Sequence, residues 1–392
     1  MFTRDLPVFY IVDFGFSTPN DVTSGTILDE AADLACRTST QRKRVSEFQP
    51  PAGDHSPKLV FAVCRVDDLE ELPLIGGIEP SELTFLALRS RLERSVSVDG
   101  GGTEPATDFA SCQKQCESWP VHSRVAIFDG KWPEAFAEAQ LASRTWPLVR
   151  RLVWQQGRTS RRFSKFAARP EMANVSALTI NGVANDETIE AIVSSPSLGQ
   201  LTELDLPQCQ AVTEAGFKQL AGSSLLPRLE VLKIGIVLRE MEELAAETLL
   251  GRQLPRLRGL HLESAPKDAL PLLEQRCPPG LRELTWSGSG IAELGAFPRL
   301  AGQLESLAVR STKLGNDGCQ QLLNSTHLAK LRRLLLLRTD VDADGLRGIQ
   351  ALTNLEQLEL VSDSLGNEMW SVLTEVRPAH LTRLTLCDVG IS

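Results

Sequence analysis

The pattern of apolar and variable positions in the second half of the chain repeats at a near-constant interval. A segment with the order apolar, two variable, apolar, one variable, apolar begins at Val175 and recurs up to Leu381, in steps of 23 to 28 residues. Alternation with a period of two is typical of a half-buried β-strand, so the pattern predicts nine short strands in an array of repeats. The segments begin at Val175, Leu201, Leu229, Leu257, Leu281, Leu304, Leu331, Leu355 and Leu381.

The stretches between the predicted strands favour helices. Three of them, "VTEAGFKQLAG" (212–222), "GNDGCQQLLNS" (315–325) and "VDADGLRGIQAL" (341–352), place a turn or capping residue before an amphipathic segment. One strand and one helix are too small to close a core, so successive units stack and share one. Residues 172–392 therefore resemble the leucine-rich repeat family, in its ribonuclease-inhibitor-like form, which implies an α/β horseshoe of nine repeats.

The resemblance implies that the side chains between the leucines line the concave face of the horseshoe. Their charge and size change from strand to strand, which suits recognition of an irregular protein surface better than a small substrate. Leu335 and Leu337 fill two outward positions with apolar side chains and predict an interface hot spot. Coverage of both leucines by neighbouring side chains is the alternative. The expected partner-binding residues are Asp205, Lys233, His261, Glu283, Arg333, Leu335, Leu337, Glu359 and Arg383.

The first half of the chain alternates continuous apolar runs with helical patterns. Continuous apolar runs are typical of strands that are buried on both faces, so this half is predicted to be a doubly wound parallel sheet. We expect an α/β domain at 1–156, a basic linker at 157–171 and the repeat domain at 172–392. The predicted strands lie in "LPVFYIVD" (6–13), "KLVFAVCRV" (58–66), "SRVAIFDG" (123–130) and "PLVRRLVWQ" (147–155).

Three polar motifs fall where ligands bind to such sheets, at the carboxyl ends of the strands. They are "DFGFS" (13–17), "GGGT" (100–103) and "FDG" (128–130). Their order resembles the von Willebrand factor A family, and that resemblance implies a Mg²⁺ site with the ligands Asp13, Ser17, Thr103 and Asp129. Gly15 and Phe128 depart from the family pattern. A degenerate site, in which Asp13 and Asp129 only cap helices, therefore remains the alternative.

Charge and composition exclude several classes of function. The net charge is −9: residues 1–170 hold 21 Lys and Arg against 22 Asp and Glu, and the remainder holds 20 against 28. This balance argues against a broad surface for nucleic acid or anionic membranes. The sequence lacks an apolar run long enough to span a membrane. The eight scattered cysteines fit neither a zinc site nor a disulfide framework, so we expect a cytoplasmic protein with reduced thiols.

The usual catalytic motifs are missing from the sequence: it contains no G-x-S-x-G, H-E-x-x-H or Walker A segment. We therefore predict a non-enzymatic interaction scaffold or target-recognition subunit, in a bacterial regulatory or defence assembly. The concave face would bind one protein partner and the N-terminal domain would dock a second. The von Willebrand resemblance implies that the second partner is an AAA-type ATPase or another subunit of a complex. The alternative is a metal-dependent enzyme or a phosphoryl-handling activity at the N-terminal strand ends.

Overall fold

The structure is a computed structural model, and it divides the chain into two compact units. One unit comprises residues 1–157 with 170–177, and the other comprises 158–169 with 178–392. The residues that the structure describes are 8–12, 60–64, 124–129, 138, 141–143, 146–155, 161–236, 241–361, 365–366, 368–376 and 380–387.

The strands of the first unit fall inside the four predicted apolar runs. They are β1 (Val8–Val12), β2 (Val60–Cys64), β3 (Val125–Asp129) and β4 (Arg151–Gln155). Strands β3 and β4 pair in parallel, as predicted. Strands β1 and β2 pair antiparallel, so the predicted parallel arrangement is wrong for them. A continuous apolar run indicates that a strand is buried but does not specify the direction of its neighbour. The von Willebrand A fold is not confirmed.

Aromatic side chains form the described core of this unit. The rings of Phe128 and Trp146 meet edge to face with centroids 5.6 Å apart, and Phe128 stacks on Trp154 at 6.4 Å. The indole N–H of Trp146 donates a 2.7 Å hydrogen bond to the carbonyl of Glu171. This bond satisfies the polar atom of a side chain that is only 2% exposed. Short 3-10 helices span Trp146–Leu148 and Pro170–Asn174.

The second unit alternates strands and helices along its described length. Its strands are β5 (Ala177–Asn181), β6 (Val183–Asn185), β7 (Glu203–Ala211), β8 (Val231–Ile236), β9 (Gly259–Ala265), β10 (Glu283–Gly288), β11 (Ser306–Arg310), β12 (Arg333–Leu337), β13 (Gln357–Val361) and β14 (Arg383–Cys387). Its helices are α1 (Arg161–Ala167), α2 (Asp186–Val193), α3 (Glu214–Gly222), α4 (Glu242–Leu250), α5 (Ala269–Gln275), α6 (Pro298–Ala301), α7 (Gly315–Leu323) and α8 (Glu368–Val376). The 3-10 helices are Leu198–Gln200, Leu226–Arg228, Ile291–Ala296, Thr326–Leu328 and Ala343–Ala351. Each of the nine predicted strands is present in this part of the chain, and β6 is a short addition that the sequence did not predict.

The strands form one sheet in chain order. Each strand from β7 to β14 pairs in parallel with the next, β5 lies beside β7, and β6 also pairs with β7. The carbonyl of Glu230 accepts hydrogen bonds from the N–H groups of Arg258 (2.7 Å) and Gly259 (3.0 Å), and this two-donor arrangement recurs at each step from β7 to β14. It fixes the register of each of these repeats on the one before. The accepting carbonyls belong to Thr202, Glu230, Arg258, Arg282, Glu305, Arg332 and Glu356.

The repeated leucines form the core between the sheet and the helices. Leu204 and Leu206 are 0% exposed, and Leu232 and Leu262 face the side chain of Leu249 on α4. Burying each such side chain contributes about 1.5–3 kcal/mol to stability. The array is therefore stabilised mainly by the burial of these leucines in a core that successive repeats share. The unit is therefore an α/β repeat fold of the leucine-rich type.

Buried polar side chains hold the loops that follow the strands through hydrogen bonds to backbone groups. The Thr312 hydroxyl, 8% exposed, lies 3.2 Å from both the backbone N and the carbonyl O of Gly288 in the preceding repeat. The Cys209 thiol donates to the carbonyl of Leu206, and burial raises the pKa of that thiol to about 12. These side chains satisfy backbone groups that turn away from the ladder.

Candidate functional site

Three columns of side chains run across the sheet on the face opposite the buried leucines, and we call this surface the outer face. The parallel pairing places equivalent residues of each repeat side by side, because the repeats share one register. The first column is Glu203, Val231, Gly259, Glu283, Ser306, Arg333, Gln357 and Arg383. The middle column is Thr179, Asp205, Lys233, His261, Thr285, Ala308, Leu335, Glu359 and Thr385. The third column is Pro207, Gly235, Glu263, Ser287, Arg310, Leu337 and Val361.

All nine residues predicted to bind a partner lie in these columns. The structure therefore brings them onto one surface, as the repeat spacing requires. Apart from Leu337, the prediction omitted the third column, which includes Glu263, Arg310 and Val361. Their signal was present in the sequence: each follows the third apolar residue of its repeat, one strand position beyond the pattern, where a period of two again points outward.

The middle column begins with a polar row on β5, β7 and β8. The hydroxyl of Thr179 lies 3.4 Å from a carboxylate oxygen of Asp205, and the Lys233 ammonium lies 4.0 Å from the same oxygen. These side chains are partly exposed, so their mutual interaction leaves them accessible to a bound protein.

His261 continues this row in an environment that disfavours its charged form. Burial, together with the nearby cations Lys233 and Arg310, lowers the pKa of His261 to about 3. Glu263 lies two residues further along the same strand. Burial raises the pKa of Glu263; Arg310 opposes that rise and Asp205 adds to it. At neutral pH, His261 is therefore an uncharged hydrogen-bonding group on the outer face.

The first column holds an ion pair that joins two non-adjacent strands. Arg333 on β12 donates a 2.6 Å hydrogen bond to Glu283 on β10. Both side chains are about half exposed, at 50% and 47%. Arg383 lies further along the same column, next to Gln357, and is exposed.

Leu335 lies at the centre of β12 and Leu337 at its end, and both are half-buried. Leu335 pairs with Ala308 on one side and Glu359 on the other. Leu337 pairs with Arg310 and Val361. The neighbouring side chains therefore cover the two leucines in part and leave apolar surface accessible.

Most of the predicted Mg²⁺ ligands, namely Asp13, Ser17 and Thr103, lie outside the described residues. Asp129 is the last residue of β3, as the motif predicted, and its side chain is likewise not described. Among the residues that the structure does describe, there is no group of three or more His, Cys, Asp or Glu side chains that could hold a metal ion. The magnesium site stays a prediction.

No protein-family model and no curated protein matches the sequence. Among solved structures, a chain from the crystal structure of the Rad7 and Elc1 complex in yeast is similar, with a TM-score of 0.43 and 14% identity. The match covers 78% of this chain and 82% of that one. Similarity at this level is too weak to indicate a function. The functional proposal therefore rests on the chemistry of the outer face. No helix in the described parts of the chain is long and apolar enough to cross a membrane.

Proposed function

We propose that this chain is a non-enzymatic recognition subunit that binds a protein partner on the outer face of its repeat sheet. The observation that carries the proposal is the set of three columns, in which accessible side chains of different charge and size lie in register across adjacent strands. A surface of this kind is rigid because the backbone ladder fixes it, and it is varied because each repeat supplies its own residues.

The chemistry of the surface supports binding rather than catalysis. Four ionisable groups of the outer face are engaged with each other across strands, in the pairs of Asp205 with Lys233 and Glu283 with Arg333. His261, the usual choice for a general base, has a pKa near 3 and is a poor proton acceptor at neutral pH. A cytoplasmic location also belongs to this proposal, on the cysteine pattern alone.

Site-specific photo-crosslinking in the native host tests the proposal. A photoreactive phenylalanine analogue replaces Gln357 or Thr385 on the outer face, and Lys218 on the exposed side of α3 serves as the control position. We expect one protein to crosslink from both outer-face positions and not from Lys218. Crosslinking from Lys218 alone would place the partner on the helices and contradict the proposal.

A second measurement tests whether the chain acts as an enzyme on its partner. The captured partner is incubated with the purified chain, and its intact mass is compared before and after. We expect an unchanged mass, because a recognition subunit leaves its target chemically intact. A defined mass change that requires the chain would favour the enzymatic alternative.

The second partner and the metal require separate evidence. The AAA-type ATPase that the von Willebrand resemblance implied has no support in the described residues. For the metal, calorimetric titration of the full chain with Mg²⁺ is compared with the Asp13→Ala variant. We expect heat of binding in the parent chain that the substitution removes; equal heats in both would reduce the motif to a degenerate site.

A further inference from the structure

The outer face is divided by charge along the array. From β5 to β10 its columns contain four carboxylates and one lysine, with His261 neutral. From β11 to β14 they contain three arginines and one carboxylate. One half of the surface is therefore acidic and the other basic, although the chain as a whole is acidic. The residues concerned are Glu203, Asp205, Lys233, Glu263 and Glu283 in the first half, and Arg310, Arg333, Glu359 and Arg383 in the second.

Apolar side chains occupy the centre of the basic half. We call Ala308, Leu335, Leu337 and Val361 the apolar patch; all four are half-buried and lie on three successive strands. Strands lie about 4.8 Å apart and alternate residues about 7 Å apart, so the patch measures about 10 Å by 7 Å. That area fits one or two large apolar side chains from a bound segment.

Two arginines lie next to Leu337 at the edge of the apolar patch. Arg310 pairs with Leu337 in the strand register, and Arg338 follows Leu337 directly; both are exposed. Arg338 and Arg383 make no ion pair with another residue in the part of the chain that the structure describes. Two carboxylates lie in the same region, Glu359 within the columns and Asp340 at the rim, so the basic charge remains in excess.

We propose that the apolar patch binds a segment of a partner protein in which one or two large apolar side chains are flanked by aspartate or glutamate. The inference rests on the proposed function, because it identifies the chemistry of the partner on the same outer face. Apolar anchors would bury against Leu335 and Leu337, and the flanking carboxylates would pair with the arginines around them. Two leucines at the centre offer no hydrogen bond to a phosphate, so the same surface suits a protein better than a nucleic acid.

Selection from a phage-displayed library of random 12-residue peptides tests this chemistry on the full chain. We expect the selected peptides to combine Leu, Phe or Trp with Asp or Glu. A selected peptide is then made synthetically with a fluorescent label, and its Kd is measured by anisotropy for each variant.

Substitutions at Leu335 and Arg338 separate the patch from the rest of the outer face. Leu335→Asp should weaken binding at least tenfold, whereas Leu335→Met keeps an apolar side chain and should bind within about twofold of the parent. Lys218→Gln, on the exposed side of α3, is the control outside the outer face and should bind like the parent, while Asp205→Asn probes the acidic half. Arg338→Asp provides a test at a loop position that does not depend on the core: the backbone φ is 53° there, which aspartate tolerates, and charge reversal should weaken the acidic peptide about tenfold.

The possible results distinguish this inference from the proposed function. Peptides rich in Lys or Arg that lose affinity in Asp205→Asn and keep it in Leu335→Asp would overturn the inference while leaving recognition on the outer face intact. If no outer-face substitution changes the affinity of the selected peptides, the result contradicts both the inference and the proposed function. A labelled 20-nucleotide single-stranded DNA that displaces the selected peptide, with affinity lost in Arg338→Asp, would assign the patch to nucleic acid and overturn the inference.

Discussion

Arg333 on β12 reaches Glu283 on β10 with a 2.6 Å hydrogen bond, and Ser306 on β11 is the residue that lies in register between them. Adjacent strands lie about 4.8 Å apart, so two unit charges separated by two strands can meet only if the intervening side chain is small. Serine meets that condition. The pair therefore ties three repeats together at the boundary between the acidic and basic halves of the outer face.

A double-mutant cycle measures the strength of this bridge. Glu283→Gln and Arg333→Gln, alone and together, should give a coupling free energy of about 0.2–1 kcal/mol in urea unfolding, because both side chains are half exposed and screened by solvent. Ser306→Leu should remove the coupling by filling the space between the two charges. A coupling that persists in the Ser306→Leu background would show that the two side chains do not interact across β11.

Gly235 on β8 has no room for a side chain. A Cβ atom there would lie 1.9 Å from the carbonyl oxygen of Pro207 on β7 and 2.2 Å from its carbonyl carbon. Because these are backbone atoms, a rotamer change cannot relieve the overlap, and the two strands would have to separate.

Gly235→Ala should therefore destabilise the repeat unit by about 2–3 kcal/mol or more, measured as the free energy of unfolding in urea. Gly199→Ala is the matched control, since a Cβ at Gly199 meets nothing within 4 Å. The control should change stability by less than about 1 kcal/mol. Equal stabilities for the two variants would contradict the close approach of β7 and β8.

The buried hydroxyl of Thr312 tests a hydrogen-bonded link between two repeats. Its Oγ1 lies 3.2 Å from the backbone N and O atoms of Gly288, so Thr312→Val keeps the shape of the side chain and leaves these groups unpaired. We expect a loss of about 1–3 kcal/mol in unfolding free energy. Thr312→Ser retains the hydroxyl and should lose less; a serine variant as unstable as the valine variant would assign the effect to packing.

The repeat strands could be located from the sequence because their leucines obey a local rule. The positions of Leu204, Leu232 and Leu260 in the pattern are enough to place each strand, and a constant register then places Asp205, Lys233 and His261 side by side. This is why the outer face could be predicted without coordinates. The direction of β2 relative to β1 could not be predicted in this way, since an apolar run has the same pattern in either direction.

The contacts between side chains of the outer face could not be predicted from the sequence, for a different reason. Glu283 and Arg333 are 50 residues apart, and their contact depends on the small residue between them. The environment of His261 depends on cations from two other repeats, Lys233 and Arg310. Such features arise from the stacking of repeats, and no single repeat contains them.

The depressed pKa of His261 predicts a pH dependence of stability with a definite sign. Its pKa is about 3 in the folded chain against an ordinary value of 6.5, so between these values the unfolded chain binds the proton and the folded chain does not. The free energy of unfolding should therefore decrease as the pH falls from about 6.5 towards 3, with a contribution of at most about 1.4 kcal/mol per pH unit. Solvent at this partly exposed site reduces that slope.

Comparison with His261→Gln isolates this contribution from that of the carboxylates, which titrate in both proteins. Urea unfolding between pH 7 and pH 4 should show the parent chain losing stability relative to the variant as the pH decreases. Parallel curves would mean that His261 titrates normally in the folded chain. The imidazole C–H resonances give a direct check, since they should stay at their neutral positions down to about pH 4 if burial and the neighbouring cations exclude the proton.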